Sequence, residues 1–193
     1  EATLDICVPV KFANAGQVCV TGDRFYVHES LHGKFVDGFA ARAKALKLGH
    51  GLDDATQMGP LINAKRVTAI DAIVTDARKR GGRIVTGGER PSDKNKGFFY
   101  APTVIADLPD DALALAEENF GPIAAITSFR SDDEVYARAN STELGLSAYA
   151  FTQSVKRMRE TVARLESGMV GINSFALAAA EAPFGGIKAS GMG

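Results

Sequence analysis

Segments with helical spacing of apolar residues alternate along the chain with short apolar segments typical of strands. Helices are expected in the first segment, ending near residues 15–16, and at residues 31–46, 64–80, 132–140 and 154–165, with a short helical turn within residues 111–118. Strands are expected at residues 24–28, 84–85, 102–106, 123–129, 147–151 and 169–172, the last of which is expected to be the final strand. This alternation predicts an α/β fold, a three-layer sandwich in which a largely parallel sheet carries helices on both faces. No linker interrupts the pattern, so residues 1–193 are expected to form one domain.

Several helix ends and faces are also expected from the sequence. Ser30 and Asn63 are the expected N-caps of the second and third helices. Ser131 and Glu134 match the S-x-x-E capping box at the start of the next helix. The inward face of the last helix is expected to comprise Val155, Met158, Val162 and Leu165.

Composition and charge narrow the classes of partner. Of the 193 residues 46% are hydrophobic and 23% charged, and no apolar run approaches the roughly 18 residues of a membrane span. A formal net charge of -1 provides no basic surface, so neither nucleic acid nor a membrane is an expected partner. Two cysteines are too few for a disulfide framework and lack zinc spacing, which predicts no metal site and a reducing compartment, the cytoplasm.

The segment N-A-G-Q-V-C at residues 14–19 is a candidate nucleophile site. A loop after Gly16 would present the Cys19 thiol to a cleft, where a thiolate can act as a nucleophile. A single cysteine among apolar neighbours is more often a small core residue, and that alternative is the one adopted for Cys7.

Two further segments could contact a ligand. In E-E-N-F-G-P at residues 117–122, a carboxylate could accept hydrogen bonds from ligand hydroxyls while the ring packs against a flat ligand; the alternative is a pair of solvated carboxylates. The glycine-rich segment at residues 183–193 would let the backbone approach a ligand or another subunit. It is neither a Rossmann fingerprint nor a P-loop.

Taken in order, these segments resemble the catalytic domain of the NAD(P)-dependent aldehyde dehydrogenase superfamily over essentially the whole chain. The matching motifs are G-Q-V-C at 16–19, M-G-P-L at 58–61, G-G at 87–88, E-N-F-G-P at 118–122, G-M-V-G-I-N at 168–173 and P-F-G-G-I-K-A-S-G at 183–191. The sequence at residues 168–173 and 182–191 is most similar to that of the succinate-semialdehyde dehydrogenase-like branch.

The resemblance implies a reaction and a role for each site residue. Cys19 would attack the aldehyde to give a thiohemiacetal, and loss of hydride to NAD or NADP would leave a thioester that water converts to a carboxylic acid. Glu118 would accept hydrogen bonds from the nicotinamide ribose, and Phe120 would lie beside the nicotinamide. Phe184 and Ser174 would line the substrate entrance.

In the family, the cofactor-binding domain, the oxyanion-hole asparagine and the general-base glutamate precede the cysteine by more than the eighteen residues found here. The family's oligomerisation tail follows the segment that ends this chain. The resemblance therefore predicts that the isolated 193 residues are inactive, that the cofactor binds mainly to the missing domain, and that the full-length enzyme is a homo-oligomer, a dimer or tetramer.

Two departures concern the substrate. The semialdehyde branch often has serine where this chain has Ala178, Ala179 and Ala180, and often has a second cysteine where this chain has Thr21. Two other functions remain open, an enzyme that transfers the acyl group to coenzyme A and a non-catalytic interaction module that retains the fold.

Overall fold

The computed structural model describes all of residues 1–193, which group into two compact units, Glu1–Phe129 and Arg130–Gly193. The sequence offers no linker at this boundary because the first unit ends with the last residue of a strand and a new helix begins at Asp132. No helix combines the length and the apolar composition needed to cross a bilayer.

The first unit contains four helices and four strands. They are α1 (Ala2–Phe12), β1 (Arg24–His28), α2 (Glu29–Lys44), α3 (Ala64–Lys79), β2 (Arg83–Thr86), β3 (Thr103–Ala106), α4 (Leu113–Ala116) and β4 (Ile123–Phe129), with a 3-10 turn at Ala13–Gly16 after α1. The strands form one sheet in the order β1-β4-β3-β2. β4 pairs in parallel with both β1 and β3, whereas β2 pairs antiparallel with β3.

Helices cover both faces of this sheet. Consecutive residues of a strand point to opposite faces, and all of β3 and the residues from Ile123 to Thr127 in β4 are buried. Helix α2 contacts all four strands, while α3 contacts β2 and α4 contacts β4. The predicted α/β architecture with a largely parallel sheet is therefore confirmed.

An aromatic cluster attaches α1 and α2 to the sheet. The Phe39 ring lies 5.1 Å from Phe25 of β1, 6.1 Å from Phe12 of α1 and 5.7 Å from Phe35 of its own helix, measured between ring centroids. Side chains of this size bury 150 to 250 Å² each, so the cluster supplies a large share of the apolar contact between these elements.

The second unit consists of short elements. They are α5 (Asp132–Ala139), β5 (Leu144–Gly145), β6 (Ser147–Ala150), α6 (Val155–Arg164), β7 (Met169–Ile172) and β8 (Ile187–Lys188). β6 pairs in parallel with β7, and β5 pairs antiparallel with β8. The prediction that residues 169–172 form the final strand is wrong, since β8 follows.

Two of the expected N-caps are confirmed and one is wrong. Asn63 accepts a hydrogen bond from the Arg66 N–H at 3.0 Å, and Ser131 accepts one from the Glu134 N–H at 3.2 Å. Helix α2 begins two residues earlier than expected, and its N-cap is His28, whose Nδ1 accepts from the Ser30 N–H. The Ser30 hydroxyl instead bonds to that imidazole nitrogen.

The expected inward face of α6 is partly wrong. Val155 and Val162 are 63% and 57% exposed, and the buried residue is Thr161, whose hydroxyl lies 2.9 Å from that of Tyr136 in α5. Met158 and Leu165 are half-buried as expected, so the inward face comprises these two residues with Thr161, and both valines turn outward.

Replacing Phe39 should destabilise the fold through the aromatic cluster. Because the side chain is fully buried, Phe39→Ala should lower the free energy of unfolding by about 3 to 5 kcal/mol in urea denaturation. Leu31→Ala, in the same helix but 58% exposed, should change it by less than about 0.5 kcal/mol. Equal effects of the two substitutions would contradict this assignment of the core.

Candidate active site

The Cys19 turn begins with a left-handed backbone segment. Asn14, Ala15 and Gly16 have φ values of 49°, 55° and 72° in succession. A left-handed conformation costs a non-glycine residue about 1 kcal/mol, so neighbouring contacts must hold Asn14 and Ala15 there. At Gly16 any side chain is excluded, because its Cβ would overlap the Gly121 carbonyl oxygen. The backbone before Cys19 therefore lies directly against the E-N-F-G-P segment.

Side-chain amides fix this turn. The Gln17 Nε2 donates to the Asn14 carbonyl at 2.9 Å, and the Asn14 Nδ2 donates to the Gln17 carbonyl at 3.0 Å. The Gln17 Oε1 also accepts from the Ile62 N–H at 2.9 Å, which ties the turn to the loop before α3. The Thr21 N–H donates to the Val18 carbonyl and closes a turn in which the Cys19 side chain is exposed.

Cys7 has the opposite environment. It is buried in α1, and burial raises the pKa of its thiol to about 12. Burial disfavours the thiolate, so Cys7 is unreactive at neutral pH. The prediction that Cys7 belongs to the core is confirmed.

The E-N-F-G-P segment runs between α4 and β4. Its Asn119 is fully buried; the Nδ2 donates to the Ala114 carbonyl at 3.1 Å, and the backbone carbonyl accepts from the Arg66 guanidinium at 3.3 Å. Phe120 follows with a left-handed φ of 44°. These contacts fix the backbone on either side of the two predicted ligand-contacting residues, Glu118 and Phe120.

Glu118 keeps contact with solvent, but its surroundings favour the protonated carboxyl. Partial burial raises the pKa of Glu118, and the negative charge of Asp23 raises it further. The positive charges of Arg66 and Lys11 act in the opposite direction. Carboxyl groups whose pKa is raised by burial and a neighbouring negative charge are more frequent at functional sites than elsewhere.

A buried ion pair connects this segment to the Cys19 turn. The Lys11 ammonium, which has no solvent exposure, lies 2.5 Å from the Asp23 Oδ1. The Asp23 Oδ2 accepts from the Asn119 N–H at 3.0 Å. The segment that carries Glu118 and Phe120 is therefore joined, within the first unit, to the loop that follows Cys19.

Ser174 and Phe184 belong to the second unit. The Ser174 hydroxyl accepts from the Ala176 N–H at 3.0 Å and so closes a local turn, while Phe184 is 46% exposed. The residues next to Ser174 make contacts with more distant parts of the second unit. Asn173 exchanges two hydrogen bonds with the Thr152 backbone, and the Phe175 ring lies 4.1 Å from that of Tyr149.

Sequence reasoning missed Lys11, Asp23 and Arg66. A signal existed for Lys11, because Leu4, Cys7, Val8 and Lys11 fall at the spacing of one helix face and all are buried. A lysine on that face requires a buried partner. The spacing does not show that this partner is Asp23, which lies in a loop twelve residues further on.

No group of three or more histidine, cysteine, aspartate or glutamate side chains in the structure could hold a metal ion. The chemistry that the first unit can perform is that of an exposed thiol on a turn whose backbone lies against the E-N-F-G-P segment. An exposed thiol on such a turn is typical of sites at which a cysteine acts as a nucleophile.

Comparison with known proteins identifies the family. The sequence model of the Aldehyde dehydrogenase family matches residues 1–193. The non-phosphorylating aspartate-semialdehyde dehydrogenase of Halomonas elongata is 43% identical over 186 residues, which cover 96% of this chain and 37% of that protein. The succinate semialdehyde dehydrogenase of Acinetobacter baylyi is 40% identical over 193 residues, 100% of this chain and 40% of that protein.

The fold comparison agrees. A crystal structure of a betaine aldehyde dehydrogenase point mutant from Staphylococcus aureus, in complex with NAD+ and with a BME-modified cysteine, matches with a TM-score of 0.95 and 34% identity. The match covers 100% of this chain and 40% of that one. The chain belongs to the aldehyde dehydrogenase family, and it spans about 40% of the length of the relatives it matches.

The two cysteines should differ sharply in reactivity. With a pKa of about 12, roughly one Cys7 thiol in ten thousand is ionised at pH 8. Iodoacetamide followed by peptide mass spectrometry should therefore show Cys19 alkylated well before Cys7 in the folded chain. Cys19→Ser should remove the fast phase, and Cys7→Ala should keep it. Equal, slow alkylation of both thiols would show that the turn does not present Cys19.

Proposed function

We propose that this chain supplies the nucleophile and the nicotinamide-facing segment of an NAD(P)-dependent aldehyde dehydrogenase that oxidises a semialdehyde to a carboxylic acid. The observation that carries the proposal is the contact between the exposed Cys19 turn and the E-N-F-G-P segment, through Gly16 and Gly121. It lies in a chain whose family assignment covers every residue.

The residues present fit a nicotinamide nucleotide. The Glu118 carboxylate can accept from ribose hydroxyls, and the Phe120 ring can pack against a flat heterocycle. The Asn119 Oδ1, between them in sequence, is buried without a hydrogen-bond partner, which leaves an unused acceptor in the segment. When bound, NAD or NADP supplies the hydride acceptor.

Each covalent step in this proposal takes place on Cys19. Its thiolate attacks the aldehyde carbon, forming a C–S bond and moving the carbonyl electrons onto oxygen. The backbone N–H of Cys19 is proposed to stabilise that oxyanion, with an amide from outside these 193 residues. Collapse of the oxyanion expels hydride and leaves a thioester, and attack by water then releases the acid and regenerates the thiolate.

The remaining machinery is proposed to lie outside the residues described here. The general base, the oxyanion-hole asparagine and most of the cofactor contacts belong to that part, so catalytic assays need the full-length protein. Phe184 and Ser174 are proposed to line the substrate entrance. The two free thiols support a reducing compartment, the cytoplasm, and the homo-oligomer proposed for the full-length enzyme can be measured by light scattering.

Removal of the nucleophile should abolish turnover. In the full-length protein, Cys19→Ser should lower kcat for aldehyde oxidation by at least about a thousandfold, since an alcohol lacks the acidity of a thiol. Cys7→Ala should change kcat by less than about threefold, because Cys7 is buried among core residues away from the turn. Comparable activity of the Cys19→Ser variant and the wild type would contradict the proposal.

The semialdehyde preference rests on the curated relatives, two of which are named as acting on aspartate semialdehyde and succinate semialdehyde. Full-length protein should therefore use succinate semialdehyde with a kcat/KM at least about tenfold above that for hexanal, because a bound carboxylate adds charge-assisted hydrogen bonds. Steady-state production of the reduced cofactor measures both values. A preference for hexanal would overturn the substrate class and leave the aldehyde dehydrogenase proposal intact.

A further inference from the structure

We propose that Asp23 is a positioning residue for the E-N-F-G-P segment at residues 118–122, called the cofactor-contacting segment below. Its carboxylate holds the Asn119 backbone, and thereby Glu118 and Phe120, in a fixed position relative to the Cys19 turn. The inference rests on the function proposed above. The inference starts from the hydrogen bond between the Asn119 N–H and the Asp23 carboxylate, which takes no part in the covalent steps of the proposed reaction.

Lys11 restricts where the Asp23 carboxylate can lie. The Lys11 side chain is fully buried, and removing an ammonium group from water costs several kcal/mol unless an opposite charge lies next to it. The Asp23 Oδ1 provides that charge at 2.5 Å. Lys11 is fixed in turn by its place in the last turn of α1, whose Phe12 packs in the aromatic cluster. The carboxylate is thus anchored to the core.

The second oxygen of the same carboxylate faces the cofactor-contacting segment. The Asp23 Oδ2 accepts from the Asn119 N–H at 3.0 Å, across 96 residues of sequence. A hydrogen bond from a backbone N–H to an ionised carboxylate is about twice as strong as one between neutral groups. Asn119 has no solvent exposure, so no water can replace this acceptor without entering the core.

Asn119 transmits this restraint in both directions along the chain. Its peptide groups join it to Glu118 on one side and to Phe120 on the other. The left-handed φ of Phe120 is uncommon for an aromatic residue and needs fixed neighbours to persist. If the Asn119 N–H lost its acceptor, the Glu118 and Phe120 side chains would no longer be held in one orientation toward a ligand.

The Cys19 turn is tied to the same anchor. Asp23 follows Cys19 by four residues, and the Thr21 hydroxyl between them donates to the Val10 carbonyl of α1 at 3.1 Å. One carboxylate therefore couples the nucleophile turn, the end of α1 and the cofactor-contacting segment. A purely structural ion pair would need only the contact with Lys11.

Two double variants separate these roles. Lys11→Met/Asp23→Asn and Lys11→Met/Asp23→Leu both remove the buried charge pair, so neither leaves an unpaired ion in the core. They differ in one respect, since asparagine retains an oxygen that can accept from the Asn119 N–H and leucine does not. Asp111→Asn is the control, because Asp111 forms an exposed ion pair with Arg80.

In the full-length protein, the cofactor KM of Lys11→Met/Asp23→Leu should be about tenfold above that of Lys11→Met/Asp23→Asn, while their aldehyde KM values agree within about twofold. Hydrogen exchange of residues 117–122 should be faster in the leucine variant. Asp111→Asn should match the wild type in every measurement.

The possible failures are distinguishable. If the wild type oxidises aldehydes and the two double variants share one cofactor KM, Asp23 has only a structural role and the inference is wrong. The same conclusion holds if only the leucine variant fails to fold, because Asp23 then supports the fold as a whole. If the wild type oxidises no aldehyde, the proposed function fails, and the inference fails with it.

Discussion

The contact between the Gly16 and Gly121 backbones is the constraint on which the candidate site depends. The two turns can approach this closely only because Gly16 has no Cβ, which would overlap the Gly121 carbonyl oxygen. The first turn leads into Cys19, and the second ends the segment that contains Glu118 and Phe120. A side chain at Gly16 would force the two turns apart and would separate the loop that leads to Cys19 from the segment that contains Glu118 and Phe120.

Around this contact, polar groups fix the orientation of the turns, which apolar packing alone does not do. The aromatic cluster holds α1 against the sheet but is non-directional. The Lys11–Asp23 pair and the Gln17 amide are directional, and each joins the Cys19 turn to another element. The sheet and helices thus set the approximate positions of the turns, and a few directional polar contacts set their register.

The secondary structure was predicted well where the local signal was strong. Strand β4 has a continuous apolar run, and the α3 cap at Asn63 has a side chain suited to its role, so both agree with the structure. The errors have tertiary causes. His28 caps α2 because its Nδ1, at the end of β1, lies next to the Ser30 N–H. In α6, Thr161 is buried against Tyr136 of α5, while Val155 is exposed.

The sequence by itself determined the α/β class, the family and the candidates Cys19, Glu118 and Phe120. These features depend on motif order and on helical periodicity, and both can be recognised from residues that are close together in the sequence. Only the tertiary structure decided that the Asp23 carboxylate lies between Lys11 and Asn119. The physical reason is distance along the chain. Residues 23 and 119 meet only after β1 and β4 have paired in parallel, and no local pattern encodes a contact that depends on that pairing.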